Sequence, residues 1–418
     1  MNIGIYIGNS QPNAQTGGGY TFQESIITAL SQHTSKHNYY IFHDGTPIKK
    51  TDTKLTYIPL QKFASQKTDN ILKKIYLKIL RKYSHHKILN KYKSFLNKAA
   101  LDNHIDIMWF VSPAYRQIEI PFIYTVWDLQ HRLQPYFPEV SVSGSLFEDR
   151  EKHYASVLPK ATYIITGNQT GKQEIMTFYN IQPERIKALE FPTPQWALNA
   201  SSNNATNINT AQKQKTNIFE KYKITEPYLF YPAQFWPHKN HIALVQALYV
   251  LRTEHKLDFS LVFTGSDKGN LSYIKQKVRE YKLENHVHFL GFVPIEELTA
   301  LYQNAFALTF ASFFGPNNIP PLEAFGLGCP VIAAQAAGMQ EQLQDAALFF
   351  DPKNAQDCVH KILELYNKPE LRETLITRGK THAQRWTAQD YIKQIDVLFD
   401  EFVPIRACWS STEKYIHK

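Results

Sequence analysis

Gly315-Pro-Asn-Asn-Ile-Pro-Pro-Leu-Glu323-Ala-Phe-Gly-Leu-Gly-Cys-Pro330-Val-Ile-Ala-Ala334, running on to Gly338 and Glu341, says more than any other stretch of this chain. It reads as a loop, a short helix opened by Pro320 and Pro321, a glycine stop at Gly326 or Gly328, and a buried strand over residues 330–333. Proline suits a first helical turn because its missing N–H has no partner to lose there. The free amides and positive end of such a helix face whatever sits in the loop, and phosphate is the usual occupant. Glu323 falls in the first turn, where a carboxylate can accept hydrogen bonds from sugar hydroxyls. The stretch is a nucleotide-sugar site in outline.

Around it, strand patterns alternate with helical ones, which predicts βαβ units and parallel sheets in an α/β fold. In the first half, strands are expected at residues 3–7, 39–43, 55–59, 107–111, 122–127 and 163–166. Gly17-Gly18-Gly19 makes a turn into a helix at 22–31. In the second half, strands at 228–232, 259–264, 288–290, 307–310, 330–333 and 347–350 alternate with helices near 242–254, 272–281, 295–304 and 355–366. A last helical pattern covers 388–402. Between Asn199 and Asn217 the chain is almost wholly Asn, Ser, Thr, Ala and Gln. Such a segment buries too little to offset its ordering entropy and reads as a flexible linker. The expected division is a first Rossmann-like domain over 1–198 with a basic insertion at 61–101, a linker at 199–217, a second Rossmann-like domain over 218–386, and a returning helix and tail over 387–418.

A chain of 418 residues suffices for two domains with separate cores. Three scattered cysteines form neither a metal nor a disulfide pattern, and no run approaches a transmembrane span. The chain opens directly on a strand, so a protein in the cytoplasm or on the inner face of the plasma membrane is expected. Nine Lys and Arg and no acid lie between Asn70 and Leu101, and the other 37 basic residues equal the 37 acids, so this segment carries the whole excess of +9. Its apolar residues recur at helical spacing, the pattern of a basic helix on an anionic membrane surface. No nucleic-acid motif accompanies it.

Three further clusters carry chemistry. Phe235-Trp-Pro-His-Lys239-Asn-His follows the first strand of the second half, at a sheet end where open α/β folds bind ligands. Gly17–Gly19 removes side chains where a backbone must approach a ligand. Thr125-Val-Trp127-Asp128-Leu-Gln-His131-Arg132 ends an apolar strand. The other histidines have no clustered carboxylate or cysteine partners; surface or loop positions are expected for them, and no metal.

In that order, these elements resemble the retaining glycosyltransferases of the GT4 family (glycosyl transferases group 1), which have the two-domain GT-B fold. The likeness is strong from Tyr228 to about Trp386 and weaker before it. The family's Gly-Arg-x5-Lys-Asn element is matched by Lys239 and Asn240, with Gln234 at the arginine position. Its paired glutamates, eight positions apart, are matched by Glu323 alone, because position 315 holds Gly315. Its His-Asp-Leu appears as Trp127-Asp128-Leu129. Phe263-Thr-Gly265-Ser-Asp and His288-Phe-Leu-Gly-Phe292-Val-Pro resemble the turns beside the nucleotide.

The resemblance implies transfer of a hexose from GDP-mannose or a UDP-sugar to a glycan or lipid-linked acceptor in cell-surface polysaccharide synthesis, with no metal and no cofactor. It assigns Lys239, Glu323 and Asp128 to the reaction. Gly18, Gly19, Gln234, Gly265, Phe292, Asn317, Asn318, Ile319 and Leu322 join Lys239 and Glu323 around the donor. Trp127, Asp128, His131 and Arg132 fall on the acceptor side. The missing first glutamate implies that Asn317 and Asn318 hold the sugar. A catalytically silent nucleotide-sugar-binding scaffold and a nucleotide-sugar epimerase are the alternatives.

Overall fold

The computed structural model describes residues 1–8, 18–44, 55–60, 95–142, 145–204 and 218–410. The first half builds a seven-stranded sheet from β1 (Asn2–Tyr6), β2 (Asn38–His43), β3 (Thr56–Pro59), β4 (Ile107–Phe110), β5 (Phe122–Thr125), β6 (Tyr163–Thr166) and β7 (Ile186–Ala188). The second half builds a six-stranded sheet from β8 (Tyr228–Pro232), β9 (Ser260–Thr264), β10 (Val287–Phe289), β11 (Ala307–Phe310), β12 (Val331–Ala334) and β13 (Ala347–Phe350). The orders are β3-β2-β1-β4-β5-β6-β7 and β10-β9-β8-β11-β12-β13, and every strand pair is parallel. Strand order reverses between β1 and β4 and again between β8 and β11. A doubly wound sheet opens its ligand crevice at that reversal, outside the carboxyl ends of the strands.

Buried parallel strands need apolar residues on both faces. Accordingly β4, β5, β11 and β12 are buried at every position. The helix Ile319–Leu327 begins one residue before the two prolines and ends at Gly328, whose φ of +71° supplies the left-handed stop. Gly326 therefore lies inside the helix. Pro330 stays outside β12, since a proline cannot donate to the ladder, but its carbonyl still accepts from Leu308.

The last helix, Ala388–Arg406, is fixed at its start by a capping box between Thr387 and Asp390. Tyr391, Ile392, Ile395, Leu398, Phe399 and Phe402 are buried in one cluster with Ile3, Phe22 and Trp109, so the chain's end completes the first domain's core. At about 1.5–3 kcal/mol per buried side chain, an upper range, that face outweighs any propensity term.

One expectation changes, and another lies mostly outside the described residues. The helix Gln195–Asn204 covers the start of the expected linker, whose residues 205–217 lie outside the described residues. Of the basic insertion, 61–94 lies outside as well. Residues 95–102 are helical, with Leu96, Ala99 and Ala100 buried and Lys98 exposed.

Candidate functional site

The strand ends of the two sheets face each other across a cleft of about 620 Å³, within the usual range for ligand pockets. The first domain contributes Gly18 and Gly19 after β1 and Trp127 and Asp128 after β5. The second contributes Gln234 and Lys239 after β8, Gly265 and Ser266 after β9, Phe292 after β10, and Gly315 to Pro320 with Glu323 after β11. Residues distant in sequence meet because each follows a strand near one of the two reversals.

Lys239 ends the short 3-10 turn Pro237–Lys239, which Asn240 closes in the left-handed region (φ +57°) with its Nδ2 bonded to the Pro352 carbonyl at 2.8 Å. Tyr231 donates to the Lys239 carbonyl at 2.8 Å, which fixes the backbone. The Nζ lies 5.4 Å over the Phe310 ring and 3.4 Å from Ser312 Oγ. Burial lowers its pKa to about 8, against the opposing pull of Asp128 and Glu139. No carboxylate neutralises it at contact distance among the described residues. It is a cation waiting for an anion.

Glu323 is buried at the cleft floor, and Tyr302 donates to its Oε2 at 2.6 Å. Burial raises its pKa to about 7, partly offset by that hydrogen bond. The helix start beside it is poorer in donors than the sequence implies. The Asn318 amide is given to Gln342 Oε1 at 2.9 Å, and Pro320 and Pro321 have none, which leaves Ile319 to supply a backbone donor. An anion here depends chiefly on Lys239.

The loop before the helix explains the missing glutamate. Gly315 has φ of +135°, and a β-carbon there would lie 2.4 Å from Asn318 Oδ1. Asn318 Nδ2 bonds back to the Gly315 carbonyl at 2.5 Å, so that side chain braces the loop. Asn317 differs. Its Nδ2 and Oδ1 are both buried and have no partner among the described residues, although the residue lines the cleft. Ser266 Oγ and Trp127 Nε1 share that condition. Unpaired buried polar atoms are costly unless something else satisfies them, and here they all line one cavity.

Asp128 lines the cleft but is strongly engaged. Arg150 Nη2 reaches its Oδ1 at 2.5 Å, and the Gln130 amide donates to the same oxygen at 3.0 Å. Burial works to raise its pKa, but Arg150 and these bonds hold it below the usual carboxylate range. Trp127 is no plain core residue: it packs edge-on against Phe22 and Phe191, and a β-carbon on Gly19 would come within 2.8 Å of its ring.

Several assignments are corrected. His131 is fully buried away from the cleft, stacked on Tyr154 and bonded to Tyr179, and burial depresses its pKa to about 4. Arg132 is spent on Glu151 and the Tyr179 ring. Neither lines the cleft. Leu322 points into the second domain's core. The histidines expected at surface or loop positions also differ. His241 is buried against Phe235 at 4.3 Å between ring centroids, and His238 pairs with Glu139 of the first domain at 2.5 Å. Glu139, Gly167 and Asn168 join the site without a sequence signal, because each works through a partner 99 or more residues away. Among the described residues no group of three or more His, Cys, Asp or Glu is placed to hold a metal.

Residues 213–382 match the model of the family described as glycosyl transferases group 1. The chain is 26% identical over 245 residues to O-antigen chain mannosyltransferase B of Escherichia coli, covering 58% of this chain and 62% of that one. It is 26% identical over 266 residues to O-antigen chain mannosyltransferase RfbU of Salmonella typhimurium, covering 63% and 66%. The alignments thus span a little under two thirds of these relatives. Among solved structures, sucrose-phosphate synthase from Thermosynechococcus elongatus superposes with a TM-score of 0.71 at 16% identity, covering 97% of this chain and all of that one. The match to the glycosyl transferases group 1 model lies in the second domain, and the two facing sheets have the GT-B fold.

Proposed function

We propose that this chain is a retaining glycosyltransferase that moves a hexose from a nucleoside-diphosphate sugar to a glycan or lipid-linked acceptor in cell-surface polysaccharide synthesis. The observation that carries the reading is the convergence on one cleft of Lys239, Glu323 and the unpartnered Asn317 amide. A diphosphate suits Lys239, ribose hydroxyls suit Glu323, and sugar hydroxyls suit an amide that can donate and accept. The O-antigen mannosyltransferases among the relatives favour GDP-mannose over a UDP-sugar as donor.

In this reading the reaction is carried by electrostatics. Charge develops on the leaving diphosphate as the glycosidic bond breaks, and Lys239, the Ile319 amide and the Gly18–Gly19 backbone lie around that position. Among the described residues Lys239 has no carboxylate at contact distance to leave behind, so its attraction is available to the leaving group. The departing phosphate itself takes the acceptor proton, and no protein base is required. An epimerase needs free acid and base groups. The cleft carboxylates, Asp128 and Glu323, are instead held by Arg150 and Tyr302.

The acceptor side is formed by Trp127 and Asp128, which line the cleft from the first domain. A membrane-bound acceptor fits the basic segment 71–101, and charge reversal at Lys73, Lys74 and Lys78 tests it by liposome sedimentation. No helix among the described residues is long and apolar enough to cross a membrane.

The deciding experiment is thermal shift with GDP and UDP, followed by mass-spectrometric detection of transfer or slow hydrolysis of GDP-mannose and UDP-glucose. Stabilisation by one diphosphate with sugar release is the expected result. Binding without turnover points to a scaffold, and neither binding nor turnover sinks the reading.

A further inference from the structure

The short helix Met339–Leu343 carries two neighbouring side chains that reach opposite ways. Gln342 embraces the backbone of Asn318: its Oε1 accepts from the Asn318 amide at 2.9 Å and its Nε2 donates to the Asn318 carbonyl at 2.8 Å. Glu341 crosses to the first domain. Its Oε1 accepts from the Gln169 amide at 2.7 Å, and its Oε2 accepts from the Thr170 amide and the Thr170 hydroxyl, both at 3.1 Å. These amides open the eleven-residue helix Gln169–Tyr179, whose positive end favours a carboxylate.

A second strap runs beside the first. Asn168 caps the same helix through its Oδ1, which accepts from the Gly171 amide at 2.9 Å. Its Nδ2 donates to the Pro316 carbonyl at 2.6 Å, in the loop that carries Asn317. Gly338, at φ of +80°, lets the chain pass: a β-carbon there would lie 2.5 Å from Asn168 Nδ2 and 2.7 Å from the Pro316 carbonyl. Asn317 is thus bracketed, with Pro316 held by the first domain and Asn318 held by Gln342. The two brackets are joined, since Gln342 is adjacent to Glu341, which holds the helix that Asn168 caps.

We infer that Glu341 and Asn168 are positioning residues: docking of the helix Gln169–Tyr179 onto Glu341 closes the domains and sets the Asn317 amide in the cleft in one step. The inference rests on the donor reading of that cleft. Nucleoside diphosphate binding, which relies on Lys239 and Glu323, does not need the clasp. Productive placement of the sugar does. The carboxylate matters for its two acceptor oxygens, so an amide at 341 keeps only one of them.

The test uses the full chain with Glu341→Ala, Glu341→Gln and Asn168→Asp, the last keeping the helix cap while removing the donor to Pro316. Hydrogen exchange reads the Gln169 and Thr170 amides, calorimetry reads the affinity for GDP and UDP, and steady-state assay reads turnover. Expected for Glu341→Ala is exchange at those amides faster by about tenfold or more. Diphosphate affinity stays within about threefold, and kcat falls by about tenfold or more, the scale of a small misplacement at a reacting centre. Asn168→Asp gives the same split of kcat from affinity, and Glu341→Gln lies between.

Unchanged exchange in Glu341→Ala overturns the clasp. Faster exchange with unchanged turnover overturns its role in placing Asn317, and so does a loss of affinity in step with kcat, the mark of a merely structural residue. If the wild type turns over no sugar nucleotide, the donor reading has failed, and the exchange result still decides the clasp.

Discussion

Asn317 Nδ2 sits 1.5 Å from where a β-carbon on Gly167 would lie. This cleft-lining amide of the second domain therefore rests against the bare backbone that follows β6 of the first. Gly167→Ala must push it away. Turnover is expected to fall by roughly 10- to 100-fold while diphosphate affinity stays within about threefold, since Lys239 and Glu323 are untouched. Parallel kinetics and calorimetry check this, and wild-type kcat in the variant removes Asn317 from the sugar site.

Placing a glutamate at 315 is expected to harm the protein. At φ of +135° a side chain is strained by about 1–3 kcal/mol, and its β-carbon meets Asn318 Oδ1. Gly315→Glu is expected to lower the melting temperature and to abolish transfer. A variant with raised turnover shows that the loop can refold around the acid and that Asn317 is dispensable.

Donor affinity is expected to peak between pH 7 and 8. Burial raises Glu323 to about 7, so below that pH ribose binding must first expel a proton. Burial lowers Lys239 to about 8, so above that pH the diphosphate meets a neutral amine. Each limb falls by roughly tenfold per pH unit, the slope of one proton. Glu323→Gln removes the acid limb and Lys239→Arg the alkaline one, because an arginine does not deprotonate. Calorimetric titration across pH 5.5–9.5 reads both, and a flat profile detaches these two groups from the ligand. Stability follows the same shifts with the sign reversed for a buried charge. The folded state holds a proton on Glu323 that the unfolded chain releases above about 4.5, so this contribution weakens as pH rises towards 7.

Much of this was legible in the sequence. Local pattern places every strand except β7, and the helix Ile319–Leu327, because a buried parallel strand must be apolar throughout and a proline pair with a following glycine brackets a helix. Lys239, Glu323 and Asn317 were legible as well, each tied to a turn after a strand. What stayed hidden is what depends on packing against residues distant in the sequence, within a domain or across the cleft. His131 looks like a free histidine until Tyr154 and Glu151 close over it, and Leu322 faces the core because the helix starts at Ile319. Glu341, Asn168 and Glu139 are ordinary polar letters until two sheets are brought face to face.

Tyr302 tunes Glu323 from behind, which gives a test that leaves every cleft side chain in place. Its hydroxyl donates to the carboxylate at 2.6 Å and favours the ionised form. Tyr302→Phe keeps the ring that packs on Phe230 and removes the hydroxyl, which bonds Glu323 at 2.6 Å and the Pro320 carbonyl at 3.3 Å. A hydrogen bond to a charged group is worth about 1.5–3 kcal/mol, so the variant is expected to be less stable by that order. The Glu323 pKa moves further up, and the acid limb of donor binding shifts to higher pH by about one unit or more. Affinity at pH 8.5, where Glu323 is largely ionised in the wild type, falls least. Loss that is uniform across pH means that Tyr302 serves packing alone, whereas a displaced acid limb ties the tyrosine, the glutamate and the ribose together.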